Sequence, residues 1–240
     1  MLARTFMDSR RIAELLQPFL LEGAAESSAV PRLSQAQIQN ISIYIDMILR
    51  WNERVNLTAV REPEEIVTRH FGEALFTARY LFPRNRKPLE PTLGGQQQAG
   101  GGLTDLGSGA GFPGLPVKIW NPDLSVTLIE SNQKKAAFLR EVMRALTLTN
   151  VNIFAGRAEH FDGQADIVTL RAVERFEKIL SVALRLLLPG GKLALLIGRA
   201  QLARIEELTP SIKWSEPALI PLSRNRVLLV GSLDAGKQEG

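Results

Sequence analysis

Apolar residues in the first eighty positions recur at helical spacing. Ile12, Leu15, Leu16, Phe19 and Leu20 fall at i, i+3, i+4, i+7 and i+8, the stripe of an amphipathic helix. Ile38, Ile41, Ile45, Ile48 and Leu49 hold one face of a second helix over 34–51, and Ser34 with Gln37 has capping-box spacing. A third helix is predicted over 63–81, with Pro63, Glu64 and Glu65 in its first turn. Between 83 and 102 the periodicity stops. Pro83, Pro88 and Pro91 are followed by Gly94-Gly95, three glutamines and Gly100 to Gly102, which predicts a flexible linker.

From Leu103 onward, short apolar runs alternate with helical stretches. Strands are predicted over 103–106, 126–130, 151–155, 166–170 and 192–197. Helices are predicted over 134–146, with Leu139, Val142, Met143 and Leu146 inward, and over 176–188, ended by Pro189-Gly190-Gly191. This alternation specifies an α/β fold, a parallel doubly wound sheet with right-handed crossovers. The segments 219–222 and 226–233 flank a turn at 223–225 and predict a terminal hairpin that adds an antiparallel strand. The expected organisation is a helical cap (1–82), the linker (83–102), a cofactor-binding domain (103–234) and a disordered tail (235–240).

Composition narrows the chemistry. The 240 residues include no cysteine and only two histidines, His70 and His160. Disulfides, thiolate metal sites and cysteine nucleophiles are excluded, and a multi-histidine metal site is not expected. No apolar run reaches the roughly 18 residues of a membrane span, and positions 1–11 carry Asp8 and lack the apolar core of a signal peptide. A cytoplasmic protein is expected. The net charge of +4 leans toward a polyanionic partner.

The most informative stretch is Leu103-Thr104-Asp105-Leu106-Gly107-Ser108-Gly109-Ala110-Gly111-Phe112-Pro113-Gly114. It reads as a strand, a glycine-rich turn and a helix start, with Pro113 and Pro116 suited to the first helical turn. Such a turn presents backbone N–H groups and the positive end of a helix to a nucleotide-type ligand. Glu130 ends the second strand, nineteen residues after Gly111, where an acid accepts hydrogen bonds from ribose hydroxyls. Residues 109–114 match GxGxxG, so a dinucleotide such as NAD fits formally. Asp105, two residues before Gly107, favours a cationic ligand such as S-adenosylmethionine over a pyrophosphate, and Glu159 adds a second acid at the adenine end.

Trp51-Asn52-Glu53-Arg54-Val55-Asn56-Leu57-Thr58, Val67-Thr68-Arg69-His70, the run from Asp105 to Pro116, and Gly156-Arg157-Ala158-Glu159 together resemble the ribosomal RNA small subunit methyltransferase G family (glucose-inhibited division protein B). The resemblance covers about residues 34 to 230. It implies a class I, Rossmann-like methyltransferase that moves a methyl group from S-adenosylmethionine to N7 of a guanine in 16S ribosomal RNA, free or within the 30S subunit or an assembly intermediate. The family's cofactor contacts fall on Gly107, Phe112, Ala158, Glu159 and Arg171, with Glu130 as the strand 2 acid and Gly109 and Gly111 in the same turn. The chain departs from the family's pattern at three places: the long 83–102 linker, Gly72-Glu73 where an aspartate usually follows the Arg-His pair, and Ile197 in place of a lysine.

The missing cysteine excludes the usual route to pyrimidine C5, and the residues after strand 4, Leu170-Arg171-Ala172-Val173, lack the Asn/Asp-Pro-Pro turn of amine-directed enzymes. Guanine N7 attacks through an in-plane lone pair and needs no general base, so positioning carries the catalysis. Arg171 is expected to orient the base, with an ion pair to Glu174 as its structural alternative. Arg69 and His70 are candidates for RNA contact, as are Lys134, Lys135, Arg140, Arg144, Arg199 and Arg204 for phosphates. The chain is expected to act as a monomer, without metal and without a membrane partner.

Overall fold

A computed structural model describes residues 7–21, 32–83, 102–171 and 176–234. The predicted linker and tail, and Glu174, lie wholly or almost wholly outside the described residues. Three helical segments come first: α1 (Ser9–Leu21), α2 (Gln35–Asn52) and a third that starts as α3 (Pro63–Ile66), widens into a π-helical turn (Val67–Gly72) and continues as α4 (Glu73–Leu81). The Ser34–Gln37 capping box forms as its spacing predicts. The π-helical turn has no signature in the hydrophobic pattern, which is that of one continuous helix.

The α/β part follows as β1 (Leu103–Leu106), α5 (Gly114–Trp120), β2 (Val126–Ile129), α6 (Gln133–Ala145), β3 (Val151–Phe154), β4 (Ala165–Arg171), α7 (Phe176–Arg185), β5 (Leu187–Gly198), α8 (Leu202–Leu208), β6 (Ile212–Trp214), β7 (Ala218–Leu219) and β8 (Arg226–Leu233). The sheet order is β3-β2-β1-β4-β5-β8-β6, with β7 paired to β8. Strands β1 to β5 are parallel, and β8 runs antiparallel between β5 and β6. The 219–233 hairpin therefore enters the sheet as expected. The short α8 and β6 were not foreseen; neither is long enough to establish a period.

One predicted boundary is corrected. Helix α7 ends at Arg185, and Pro189-Gly190-Gly191 lie inside β5. Leu187 pairs with Ala165, the ladder shifts register, and pairing resumes at Lys192 opposite Ile167. Proline without an N–H and Gly190 at φ 77° build a bulge in the strand, and the same residues mimic a helix stop in the sequence.

The cap and the sheet share one core. Ile12 and Leu16 of α1, Ile41, Ile45 and Ile48 of α2, and Phe71 and Leu75 pack with Leu103, Leu115, Leu128 and Leu139. A second cluster, with Val168, Leu195 and Leu229, lies under α7 and α8. Gly72 fits the cap to itself: a Cβ there would meet the Phe19 ring at 2.5 Å.

Tyr44 joins the two parts most directly. It is fully buried, its ring stacks on Phe112 with centroids 5.5 Å apart, and its hydroxyl donates to the Ala110 carbonyl in the glycine turn. A Cβ on Gly111 (φ 88°) would collide with that hydroxyl and with Leu115 Cδ1 at 2.7 Å. Tyr44→Phe keeps the stack but strands a buried carbonyl, so it is expected to cost about 1–2 kcal/mol in urea unfolding. Unchanged stability would show that this bond does not anchor the turn.

Candidate cofactor and substrate site

The turn after β1 is held in a left-handed arc by Gly107, Gly109 and Gly111, at φ 66°, 57° and 88°. Glu130, at the end of β2, binds the arc from the side. Its Oε2 accepts from Gly109 N at 2.8 Å and its Oε1 from Asn132 N at 2.7 Å. Asn132 in turn caps α6 through Lys134 N and Lys135 N. Each Glu130 oxygen retains a lone pair. A Cβ on Gly109 would find only Gly107 O, at 3.8 Å, so the arc opens to free space there. Ala158, buried, and Glu159, exposed, follow β3 at the same edge of the sheet. The backbone N–H of Glu159, and then Lys178 at 3.4 Å, lower the pKa of its carboxyl. An arc open at Gly109, flanked by two carboxylates, fits a cationic nucleoside cofactor with free ribose hydroxyls.

Asp105 does not face that space, and its expected contact with a ligand is corrected. It is fully buried, with Oδ1 accepting from Thr169 Oγ1 at 2.7 Å and Oδ2 from Gly114 N at 3.2 Å. It ties β1 to β4 and to the first turn of α5. Burial raises its pKa to about 6, against the opposing effect of the Thr169 and Ser108 hydroxyls and Gly114 N–H.

Arg171, the last residue of β4, is gripped by the cap. Its Nη2 donates to Arg69 O at 2.8 Å and to His70 Nδ1 at 2.9 Å. Those two bonds use both hydrogens of Nη2, so Glu73 Oε2 at 3.3 Å makes an ion pair without a hydrogen bond. The guanidinium carbon lies 5.8 Å from the centroid of the Phe112 ring. Nε and Nη1 of Arg171 have no hydrogen-bond partner among the described residues. Burial lowers its pKa to about 10, so it remains charged at neutral pH. Among the described residues its ion-pair partner is Glu73 of the cap; the alternative partner, Glu174, is outside them.

His70 is corrected from a candidate RNA contact to an interior residue. It is 9% exposed, tilts against Phe112 with ring centroids 4.9 Å apart, and is fixed at both nitrogens. Because Arg171 donates to Nδ1, the proton sits on Nε2 and points to Thr58 Oγ1 at 2.7 Å. Burial first, then the charges of Arg171 and Arg69, bring its pKa down to about 3, so it is neutral at physiological pH. Arg69 is exposed and pairs with Glu65 at 2.6 Å. Lys134, Arg140, Arg144 and Arg199 are exposed, and Lys135 is half-buried. Arg204 is exposed and pairs with Glu177 at 2.7 Å and Glu207 at 3.0 Å. Ile197 points into the core under α7 and α8, away from the cap.

Four site residues escaped the sequence reading. Tyr44 sits in the apolar stripe of α2, and its hydroxyl was the signal, since a buried phenol needs a partner. Thr169 was hidden in a strand, and Glu73 stood out only as a departure from the family. Asn52 folds the segment before Thr58, accepting from Leu57 N and Thr58 N.

A carboxyl whose folded pKa lies above its unfolded value binds protons more tightly in the native state. Its contribution is therefore fully present below the unfolded value near 4 and is lost as pH rises through about 6. Relative to Asp105→Asn, wild-type stability in urea is expected to fall by up to about 3 kcal/mol between pH 4 and 7. Parallel pH profiles would show that Asp105 is not desolvated as described.

Comparison with known proteins agrees with this geometry. The model of the rRNA small subunit methyltransferase G family matches residues 37–223. The ribosomal RNA small subunit methyltransferase G of Xanthomonas euvesicatoria pv. vesicatoria is 40% identical over 180 residues, covering 72% of this chain and 77% of the relative. That of Stenotrophomonas maltophilia is 40% identical over 182 residues, covering 75% and 77%. Among solved structures, a ribosomal protein L11 methylase from Lactobacillus delbrueckii subsp. bulgaricus superposes with TM-score 0.54 at 14% identity, over 69% of this chain and 79% of that one. TrmN from Thermus thermophilus does so with TM-score 0.50 at 20% identity, over 70% and 53%. These two share the fold alone, a class I methyltransferase sheet. The chain belongs to the rRNA small subunit methyltransferase G family.

Proposed function

We propose that this chain transfers the methyl group of S-adenosylmethionine to N7 of a guanine in 16S ribosomal RNA, by direct in-line attack. The observation that carries the reading is the Arg171 site at the end of β4. There a guanidinium is held beside the glycine turn with Nε and Nη1 unpartnered among the described residues, and the neighbouring histidine is locked neutral.

When bound, the cofactor supplies an electrophilic methyl group on a sulfonium. The chain's own part is to bind and orient. Backbone groups of Gly107, Gly109, Gly111 and Phe112 would line the methionine side, Glu130 would take the ribose hydroxyls, and Ala158 and Glu159 would flank the adenine. Asp105 acts one step back, holding the turn through Thr169 and Gly114 N–H. His70 has both nitrogens engaged, so it cannot take a proton from the substrate. N7 carries no proton to remove, so the chemistry matches the site.

Arg171 would direct one of its unpartnered N–H groups to the guanine O6 or to a phosphate. Lys134, Lys135, Arg140 and Arg144 on α6, with Arg69 and Arg199, would bind the RNA backbone and make affinity salt-dependent. The substrate is 16S rRNA, free or within the 30S subunit or an assembly intermediate, met by a monomer in the cytoplasm. Among the described residues no helix is long and apolar enough to cross a membrane.

Incubation with methyl-labelled S-adenosylmethionine and unmodified 30S subunits or naked 16S rRNA, followed by nucleoside digestion, is expected to yield labelled 7-methylguanosine. Label in another nucleoside, or none in RNA despite cofactor binding, would contradict the reading. Arg171→Ala with an intact fold is expected to lower kcat/KM by roughly a hundredfold; normal transfer would remove Arg171 from the mechanism.

A further inference from the structure

Arg226, the first residue of β8, meets the same carboxylate as Arg171. Its Nε lies 2.9 Å from Glu73 Oε1, while Arg171 Nη2 lies 3.3 Å from Glu73 Oε2. One buried carboxylate thus serves two guanidinium groups, and the trio keeps one positive charge. His70, facing the same place, is neutral. Arg226 is poorly satisfied as well: Nε and Nη2 are buried and neither makes a hydrogen bond among the described residues. A half-buried cation whose enclosed N–H groups lack partners is costly unless an anion completes it.

The place of Arg226 in the sheet points to the kind of anion. The glycine arc and Glu130 follow β1 and β2, and Ala158 and Glu159 follow β3. Strand β8 lies on the other side of β1, beyond β4 and β5. At about 4.8 Å per strand it stands roughly 14 Å from β1, away from where the nucleoside would lie. Exposed Arg199 and Arg224 flank it, and Arg199 N donates to Asn225 O at 2.7 Å, fixing the turn before β8 against the end of β5. This half of the sheet edge is left for the proposed substrate.

We infer that Arg226, with Arg171 and Glu73, forms a binding site for a phosphodiester group of the RNA substrate, next to the base that Arg171 orients. This rests on the proposed RNA substrate. Glu73 sets the spacing of the two arginines, and the phosphate meets the part of each guanidinium that stays open to solvent, 28% of the Arg226 side chain and 11% of Arg171.

The test is equilibrium binding of unmodified 30S subunits across roughly 50 to 200 mM salt, alongside calorimetry with S-adenosylhomocysteine. For Arg226→Gln the slope of log K against log salt is expected to shrink by about one, and RNA affinity at fixed salt to fall about tenfold. Affinity for S-adenosylhomocysteine stays at the wild-type value. Arg226→Lys, which keeps the cation if the glutamine variant does not fold, retains the slope but loses affinity several-fold. An unchanged slope and affinity in both variants would overturn the site. Loss of S-adenosylhomocysteine affinity with an unchanged slope would assign Arg226 to the cofactor carboxylate instead, and loss of stability alone would make it structural. If wild type labels no guanine N7, the proposed function fails, whatever the slopes show.

Discussion

Arg171 is a cation placed at the end of a central strand, where the fold offers it little solvent. Such a group must be satisfied from the protein side or it destabilises the state that buries it. Nothing in β4 itself supplies partners. They come from the π-helical turn and the start of α4: a carbonyl from Arg69, a ring nitrogen from His70 and the charge of Glu73. The cap is therefore part of the site. Tyr44 and Phe112 repeat the connection one layer deeper, where the cap stacks against the glycine turn and binds its carbonyl.

The same burial sets the electrostatics. His70 and Asp105, expected to contact RNA and cofactor respectively, are both pushed toward neutrality by desolvation. Neither is presented to a substrate. The charge left facing outward is basic near Arg171 and Arg226, and acidic near Glu130 and Glu159. A site divided this way suits a cationic donor on one side and a polyanionic acceptor on the other.

Much of this was legible in the chain. The helical stripes of 12–20 and 38–49, the capping box at Ser34, the parallel strands and the glycine turn all follow from local spacing. The place of Glu130 beside the turn follows from its distance along the chain, which one βαβ unit fixes. What was not legible depends on long-range contact. Asp105 reads as a turn acid, and only the approach of Thr169, sixty-four residues later, shows that it is enclosed. Glu73 and Arg226 are ordinary charges in sequence, and the topology that inserts β8 beside β5 brings them together. Pro189-Gly190-Gly191 carries the same signal as a helix stop and as a strand bulge, and only pairing with β4 decides between them.

The central claim is that the cap positions Arg171 through Glu73, so the two residues act on the RNA substrate as one unit. A double-mutant cycle on affinity for unmodified 30S subunits, using Glu73→Gln, Arg171→Gln and the pair, tests it most directly. Each single change is predicted to weaken binding, and the double variant to bind no worse than the weaker single, a coupling of at least about 1 kcal/mol. Losses that simply add would contradict the account.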